Sequence, residues 1–224
     1  MPNVYKIKKG LDLKLSGEAE KVISDYRADT YALKPTDFTG VFPKLMVKEG
    51  DKVKAGSPVF YNKYRDNIQF TSPVSGTVIE IKRGPKRILL EIRIQADADD
   101  EYIDFGKDEV TGMNREDIVE KLLKSGLWPA IRQRPYSVIA DPKDDPKAIY
   151  ISAFDSAPLA PDYDYIVHGQ GDAFQAGLDV LKKLTSGKIH LNTRPFNGQS
   201  KVFSNSKNVE ISQFEGPHPA GNVG

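Results

Sequence analysis

The feature that most constrains the fold is a pair of short segments with the same layout, each made of apolar residues around a tight turn. In the first, Val47 and Val53 flank a Glu-Gly-Asp tip, where Gly50 supplies the positive φ that such turns favour. In the second, a turn at Ser75 leads into an alternating apolar run that ends at Ile81. Short strands with frequent turns predict a small all-β barrel or sandwich.

The predicted all-β module covers residues 38–96. The pattern of apolar and polar residues changes on either side of it. Residues 1–37 form an N-terminal segment that we expect to pack on the barrel. Within it, Leu11–Leu15 alternates apolar and polar residues, which is typical of a half-buried strand. Residues 97–112 begin with an acidic run and are predicted to be an exposed linker.

Residues 113–214 carry the pattern of an α/β domain. Arg115–Lys124 is predicted to be an amphipathic helix, with Asn114 as its N-cap and Gly126 just beyond its end. Strand, helix and strand patterns with short connections then predict a Rossmann-like domain with a parallel sheet. The fold class is therefore mixed α+β and α/β, an all-β module followed by a Rossmann-like domain. The predicted elements are strands at 147–154, 188–192 and 209–214 and a helix at 172–185, with a loop at 215–224.

Composition narrows the chemistry that the chain can perform. The net charge of +1 shows no excess of Lys and Arg of the kind that nucleic-acid-binding proteins carry. Because the chain has no cysteine, it has no disulfides, thiolate nucleophiles or cysteine-bound iron–sulfur clusters. No apolar run is long enough for a signal peptide or a membrane span. The chain is predicted to be soluble by itself, or peripheral to an assembly in a membrane.

The few histidines give no catalytic or metal-binding pattern. His168, His190 and His218 show no metal-ligand spacing. Asp155 and Ser156 are neighbours, yet the sequence provides no reason for a histidine to lie near them. No catalytic and no metal-binding residue is therefore predicted. His218, between two prolines in the last loop, is kept as a candidate functional residue.

The segments Val47–Gly56 and Ser72–Val78 resemble the two halves of a biotinyl/lipoyl domain, which is a hammerhead-type barrel-sandwich hybrid. The resemblance implies a carrier lysine on the hairpin between the halves. Counting back from Pro73 puts Arg65 at that position, and a guanidinium cannot be acylated at neutral pH. Lys63 is out of register by the same count. A biotin or lipoyl carrier is therefore the disfavoured alternative, and Arg65 is interpreted as an ordinary exposed hairpin residue.

Four further segments resemble the NqrA family, the A subunits of the bacterial sodium-translocating NADH:quinone reductase, in the order in which that family carries them. The resemblance implies a peripheral subunit on the cytoplasmic face of the bacterial inner membrane. The complex would oxidise NADH, reduce ubiquinone or menaquinone, and export sodium. The chain would be the N-terminal half, followed in the family by a ubiquitin-like, soluble-ligand-binding β-grasp domain and a C-terminal segment. The segments are Ile7–Gly17, Gly126–Pro135, Ala153–Ala160 and Glu215–Gly221.

The same resemblance bears on cofactors, since the family is related to flavin-binding subunits of the Rnf complex and of complex I. Those relatives bring backbone N–H groups to a phosphate through a glycine-rich loop. At the matching place, Ser125–Ile131 has one glycine and fills the space with Trp and Pro. Gly169-Gln-Gly171 lacks the third glycine of a dinucleotide fingerprint, because Phe174 stands there. No flavin or Fe-S site is expected in this chain, and FMN, FAD, riboflavin and Fe-S are expected in the partner subunits B to F.

The segment Trp128–Tyr136 contains the residue types that a quinone headgroup needs. Aromatic rings offer a flat apolar surface, and arginine hydrogen-bonds a quinone carbonyl or stabilises negative charge on it. The alternative is structural: Trp128 packs on the preceding helix, and the arginines bind the acidic run at 97–101. A purely structural scaffold subunit is then the rival function. The quinone-binding candidates are Trp128, Arg132, Arg134 and Tyr136, with Phe38 on a second surface over Tyr31–Phe42.

Overall fold

A computed structural model describes residues 2–17, 20–196 and 201–221. The chain divides into two compact units. The barrel unit is Ser24–Asp144, and the α/β unit combines Met1–Ile23 with Asp145–Gly224. Each unit is therefore described by itself.

The described residues form thirteen strands, three α-helices and four 3-10 helices. The strands are β1 (Asn3–Lys6), β2 (Thr30–Leu33), β3 (Pro43–Leu45), β4 (Lys52–Val53), β5 (Pro58–Asn62), β6 (Arg65–Thr71), β7 (Gly76–Arg83), β8 (Leu89–Ala96), β9 (Arg132–Gln133), β10 (Val138–Ile139), β11 (Ala148–Ser152), β12 (Lys188–Thr193) and β13 (Glu210–Glu215). The helices are α1 (Arg115–Lys124), α2 (Tyr163–Ile166) and α3 (Gly171–Lys183), and the 3-10 helices are Pro35–Asp37, Pro85–Arg87, Val110–Gly112 and Trp128–Ala130.

The barrel unit is built from two antiparallel sheets, ordered β2-β8-β7-β4 and β3-β5-β6, and a small β9-β10 hairpin. The all-β module predicted from the paired segments is confirmed, including the turn at Gly50, which has a φ of +90°. Apolar side chains from alternate strand positions form the core between the sheets. The most deeply buried are Val59, Phe60, Ile68, Val78, Ile92 and Ile94.

Helix α1 has the bounds that the sequence predicts. The Asn114 side chain accepts a hydrogen bond from the Asp117 amide at 2.8 Å, and Gly126 follows the helix with a φ of +73°. The buried face includes Ile118 and Leu123, and the helix contacts β6. By contact, the helix therefore belongs to the barrel unit, whereas the prediction placed it in the α/β domain. The compact units divide after Asp144, and the predicted domain boundary at 97–112 stays a prediction.

The α/β unit has a four-stranded sheet in the order β1-β13-β12-β11, and every neighbouring pair is parallel. The predicted parallel sheet is confirmed. Leu191 lies at the centre of a cluster on one face, with Ala153 and Phe203, and α3 adds Phe174 to it. Along β12, residues alternate between fully buried and half-buried, so only this face of the sheet is a core.

The N-terminal segment departs from its prediction. It was expected to pack on the barrel, but its first strand pairs with β13, from Asn3 opposite Ser212 to Lys6 opposite Glu215. The strand predicted at Leu11–Leu15 is absent, and its three leucine side chains are 55–75% exposed. β13 ends at Glu215, and beyond it only the start of this run is held, by the Leu11 amide on the His218 carbonyl and by Asp12 on the His218 amide. Only residues 24–37 of the segment belong to the barrel unit, where β2 pairs with β8.

Candidate functional site

The quinone-binding candidates from Trp128 onward lie on the β9-β10 hairpin and the 3-10 helix before it. Trp128 is 3% exposed, and its indole Nε1 donates to the Ala140 carbonyl at 2.9 Å. That bond joins the start of the hairpin to the residue after its second strand. Trp128 is therefore a packing residue that fixes the base of the hairpin, and its ring has no open face for a ligand.

Arg132 is also engaged within the hairpin. Its Nε and Nη2 atoms both donate to the Ser137 carbonyl, at 2.9 and 2.5 Å. Ser137 has a φ of +51°, so the paired donors hold a turn residue in the left-handed region. The tip between the strands presents Arg134 and Tyr136 to solvent, and Tyr136 is 83% exposed. Trp128 and Arg132 thus hold the hairpin, and Arg134 and Tyr136 lie at its exposed tip.

The hairpin is further fastened to the barrel strand β6. Arg65 pairs with the Asp141 carboxylate at 3.1 Å, and its Nη1 lies 3.5 Å from the Ile139 carbonyl. Gln133 accepts from the Asp141 amide at 3.2 Å and donates to Asp144 at 3.2 Å. These bonds fix the orientation of the hairpin within its unit.

These contacts correct the interpretation of Arg65 as an ordinary hairpin residue. Asn62 pairs with Arg65, so the turn between β5 and β6 consists of Lys63 and Tyr64. Counting back from Pro73 missed this turn because the ladder has a register shift between Tyr61 and Asn62, which no residue count reveals. Lys63 is thus the lysine of the turn, and its ammonium lies 5.5 Å from the centre of the Tyr64 ring.

Phe38, the remaining quinone candidate, packs in the barrel. Its ring meets Phe70 edge-on with centroids 4.7 Å apart, and Phe70 stacks on Phe60 at 4.4 Å. Such aromatic pairs contribute to core packing beyond the area that they bury. The contacts of Phe38 are therefore those of a packing residue.

The acidic run after the barrel is bound by Arg27, a residue that sequence reasoning did not select. Arg27 reaches the Asp100 carboxylate at 2.7 Å and the Asp97 carbonyl at 2.8 Å, and the Ser75 amide donates to Asp100 at 2.9 Å. The Arg27 hydrogen bond, followed by that from Ser75, lowers the pKa of Asp100 to about 2. The run is thus an anchored part of the barrel unit.

His218 lies in a cluster that the sequence did not predict. Its ring Nδ1 is 3.0 Å from the Ser156 Oγ, which also accepts from the Gly221 amide at 2.9 Å. The His218 amide donates to Asp12 at 2.8 Å, and its carbonyl accepts from the Leu11 amide at 2.9 Å. In the part of the chain that the structure describes, no carboxylate binds the other ring nitrogen. The cluster therefore fastens the loop at 216–221.

A small cavity lies at the carboxyl ends of β11 and β12, the edge where open α/β sheets bind ligands. Arg194 donates to the Asp155 carbonyl at 2.6 Å and lies 5.6 Å from the Phe154 ring centre. Thr193 Oγ1 is buried beside it without a partner. The volume is about 170 Å³, below the roughly 300–1,000 Å³ of most small-molecule sites.

Residues 2–17, 20–196 and 201–221 contain neither a metal-binding cluster nor a membrane-spanning helix. No three histidine or carboxylate side chains converge there on a possible metal position. None of the helices in those ranges has the length and apolar character needed to cross a bilayer.

Known proteins resemble this chain along almost its whole length. The family model for the NqrA N-terminal barrel-sandwich hybrid domain matches residues 5–97, and that for the NqrA second alpha/beta domain matches residues 113–224. The A subunit of the Na(+)-translocating NADH-quinone reductase of Vibrio vulnificus (strain YJ016) is 42% identical over 222 residues, 97% of this chain and 49% of that protein. The protein of the same name from Marinomonas sp. (strain MWYL1) is 38% identical over 224 residues, 99% of this chain and 49% of that protein. The one from Yersinia pestis is 39% identical over 224 residues, 99% of this chain and 50% of that protein.

The chain spans about half the length of each of these three relatives. The resemblance noted for the four segments is thereby confirmed, and so is the barrel-sandwich hybrid followed by an α/β domain. The chain belongs to the NqrA family.

Proposed function

We propose that this chain acts as the quinone-contacting and docking half of the NqrA subunit in a sodium-translocating NADH-quinone reductase. The observation that carries the proposal is the β9-β10 hairpin, which is fixed at its base and presents Arg134 and Tyr136 at its tip. The relatives are named as NADH-quinone reductase subunits, so quinone is the substrate whose chemistry this tip has to match. The complex would oxidise NADH, reduce ubiquinone or menaquinone and export sodium.

The chemistry of quinone reduction suits the two exposed residues. Electrons entering the ring place negative charge on the carbonyl oxygens, which a guanidinium stabilises. The ring is flat and apolar, and a tyrosine side chain provides a matching surface. Arg134 and Tyr136 are therefore the contact residues, whereas Trp128 and Arg132 are positioning residues that act through the hairpin backbone.

The rigidity of the hairpin supports this division of roles. Arg132 holds the turn through two donors to one carbonyl, and Trp128 and Arg65 fix its base. A tip that is already ordered loses less conformational entropy when a ligand binds. Phe38 and His218 are not part of this proposal, because their contacts lie in the barrel core and in the terminal loop.

Within the complex, the redox groups would belong to other subunits. Trp128 and Pro129 are buried in the turn where the flavin-binding subunits of the Rnf complex and complex I would have glycines. The backbone N–H groups of this turn are therefore not open to a phosphate. FMN, FAD, riboflavin and Fe-S would thus be carried by subunits B to F, which are the partners that we propose. The chain would dock on the membrane-embedded ones from the cytoplasmic side, and the purified chain would be colourless.

A titration of the purified chain with a short-chain ubiquinone tests the proposal. Trp128 is the only tryptophan, and its position at the hairpin base makes its fluorescence a reporter of binding at the tip. Arg134→Gln and Tyr136→Ala should each weaken binding about tenfold, the loss expected for one charge-assisted hydrogen bond or one buried ring. Tyr102→Ala is the matched control, because Tyr102 is 71% exposed in the same unit.

The rival function is a purely structural scaffold that docks the membrane subunits. It is favoured by the same contacts that remove Trp128 and Arg132 from direct ligand binding. Exposed arginine and tyrosine side chains also suit a protein interface. Absence of saturable quinone binding, both in this chain and in the intact Vibrio vulnificus relative, would leave the scaffold as the function.

A biotin or lipoyl carrier remains the disfavoured alternative, although Lys63 occupies the turn between β5 and β6. Its ammonium lies over the Tyr64 ring, which packs edge-on against Phe42 at 5.0 Å. Intact-mass spectrometry of the chain purified from cells that contain both ligases should give the unmodified mass. A mass increment on Lys63 would instead establish the carrier.

A further inference from the structure

The parallel sheet of the α/β unit has one face that no core covers. Register places Tyr150 beside His190 on this face, and the two rings stack with centroids 4.6 Å apart. Tyr5 and Phe214 are paired in the same way at the other side of the sheet, with centroids 5.1 Å apart. Tyr150 is 66% exposed and Tyr5 is 47% exposed.

The winding of the sheet explains why this face is left open. The connections from β11 to β12 and from β12 to β13 advance in the same direction across the sheet. Since parallel crossovers are right-handed, both connections are placed on one face. The packing agrees, because Phe174 of the first connection and Phe203 of the second both join the cluster at Leu191.

Sheets in which every strand is parallel are nearly always covered on both faces. The open face here has the composition of an interface rather than that of a solvated surface. Aromatic and uncharged polar residues occupy most of its middle, and the Lys and Glu side chains lie at one end, where Glu210 pairs with Lys188 and also lies 3.4 Å from His190 Nδ1. Aromatic residues are enriched and Lys and Glu depleted at the centre of protein interfaces. The residues of the middle are Asn3, Tyr5, Tyr150, His190, Asn192, Ser212 and Phe214.

We propose that this face is the docking surface for the polypeptide that the relatives carry in addition to the half that this chain matches. The relatives extend for about as many residues again, since the matched part is 49–50% of their length. A segment on the same polypeptide has a high effective concentration at the sheet, which favours it over a separate molecule. The docking segment would present an apolar face with neutral polar edges. It would lie across the paired aromatic rings. This docking does not depend on the quinone proposal.

Carbene footprinting tests the docking directly, because it labels exposed side chains whatever their type. The comparison is between this chain alone and a fusion in which residues 1–221 replace the matching half of the Vibrio vulnificus protein. Labelling of Tyr5 and Tyr150 should fall roughly threefold in the fusion, in proportion to the lost exposure. Labelling of Tyr102 and Tyr26, which are 71% and 88% exposed, should not change.

Tyr150→Glu provides a second readout. It should destabilise the fusion more than this chain alone, because the lost stack on His190 is common to both and a carboxylate is costly only where it becomes buried. If the fusion fails to fold, the same labelling can be measured on the intact Vibrio vulnificus protein, over the strands aligned with β11 and β13. Equal labelling of Tyr5 and Tyr150 in this chain alone and in the fusion would overturn the proposal. Protection in this chain alone that rises with protein concentration would also overturn it, since the occupant would then be a second copy.

Discussion

At the scale of single residues, the Asp100 carboxylate of the barrel unit is held in its charged form by Arg27. Its pKa of about 2 lies below the ordinary value of 3.8, and the Arg27 hydrogen bond is the first cause. A depressed carboxylate pKa means that the ionised group stabilises the folded state. That stabilisation is complete above the ordinary pKa and is lost as the pH falls from about 4 to about 2.

Arg27→Met should raise the pKa of Asp100 toward its ordinary value, because the guanidinium that favours the charged form is removed. The variant should be less stable at neutral pH and should lose less stability between pH 5 and pH 2. Carboxyl NMR titration and urea unfolding, followed by Trp128 fluorescence, measure both effects. Lys44→Met is the control. An unchanged Asp100 titration in the Arg27 variant would contradict the assigned cause.

Gly126 is a second single-residue constraint, at the end of α1. Its φ of +73° disfavours any side chain, and an added Cβ would lie 2.3 Å from Thr71 Oγ1 on β6. Gly126→Ala should therefore destabilise the barrel unit by roughly 1–3 kcal/mol. Gly112→Ala is the matched control, because Gly112 has open space around its Cα. Equal urea midpoints for the two variants would contradict the expectation.

At the scale of elements, residues close together in the sequence predicted the ends of helix α1. They did not predict which strands pair. Asn114 and Gly126 mark the helix ends because caps depend on a few neighbouring residues. The run at Leu11–Leu15 has the alternation of a strand, but a strand needs a continuous ladder, and beyond the end of β13 the ladder is reduced to the Leu11 amide on the His218 carbonyl. The turn at Lys63 was missed because the register shift beside it leaves no trace in composition.

Because the α1 N-cap depends only on neighbouring residues, single substitutions at Asn114 can test its contribution to stability. Asn114→Ala removes the side-chain acceptor of the Asp117 amide and should cost about 1 kcal/mol. Asn114→Asp should retain most of that stability, since a carboxylate caps equally well and favours the positive end of the helix dipole. Urea unfolding followed by Trp128 fluorescence measures both. An equal cost for the aspartate and alanine variants would show that the loss does not come from the capping hydrogen bond.

At the scale of the whole molecule, the order of domains was predictable and their membership was not. Patterns of period two and then of helical period predict an all-β module before an α/β domain. The sequence selected the Trp128–Tyr136 segment by its residue types, the hairpin that it forms was not foreseen, and quinone binding there stays a prediction. The roles of its residues were not predictable, because the bonds from Trp128 to Ala140 and from Arg65 to Asp141 join residues that are distant in sequence. The Ser156–His218 contact, across 62 positions, was missed for the same reason.

Membership of β1 in the sheet can be tested separately from the barrel unit. Tyr5→Pro removes a backbone donor from β1 and should expose the β13 amides to faster hydrogen exchange. Leu13→Pro is the control, because Leu13 lies in the unpaired run. Exchange in β7 and β8 should be unchanged in both variants. Unchanged exchange in β13 of the Tyr5 variant would mean that β1 contributes no protection to the sheet.

The β1–β13 pairing also imposes an order on synthesis at the ribosome. Lys6 lies opposite Glu215, so the first strand waits while more than 200 residues are translated. At roughly 5–20 residues per second, that delay is on the order of ten seconds or more. The barrel unit, an insertion between the two parts of the α/β unit, is complete before β11 leaves the tunnel. During that interval β1 is an unpaired strand with an open edge, which favours wrong pairing.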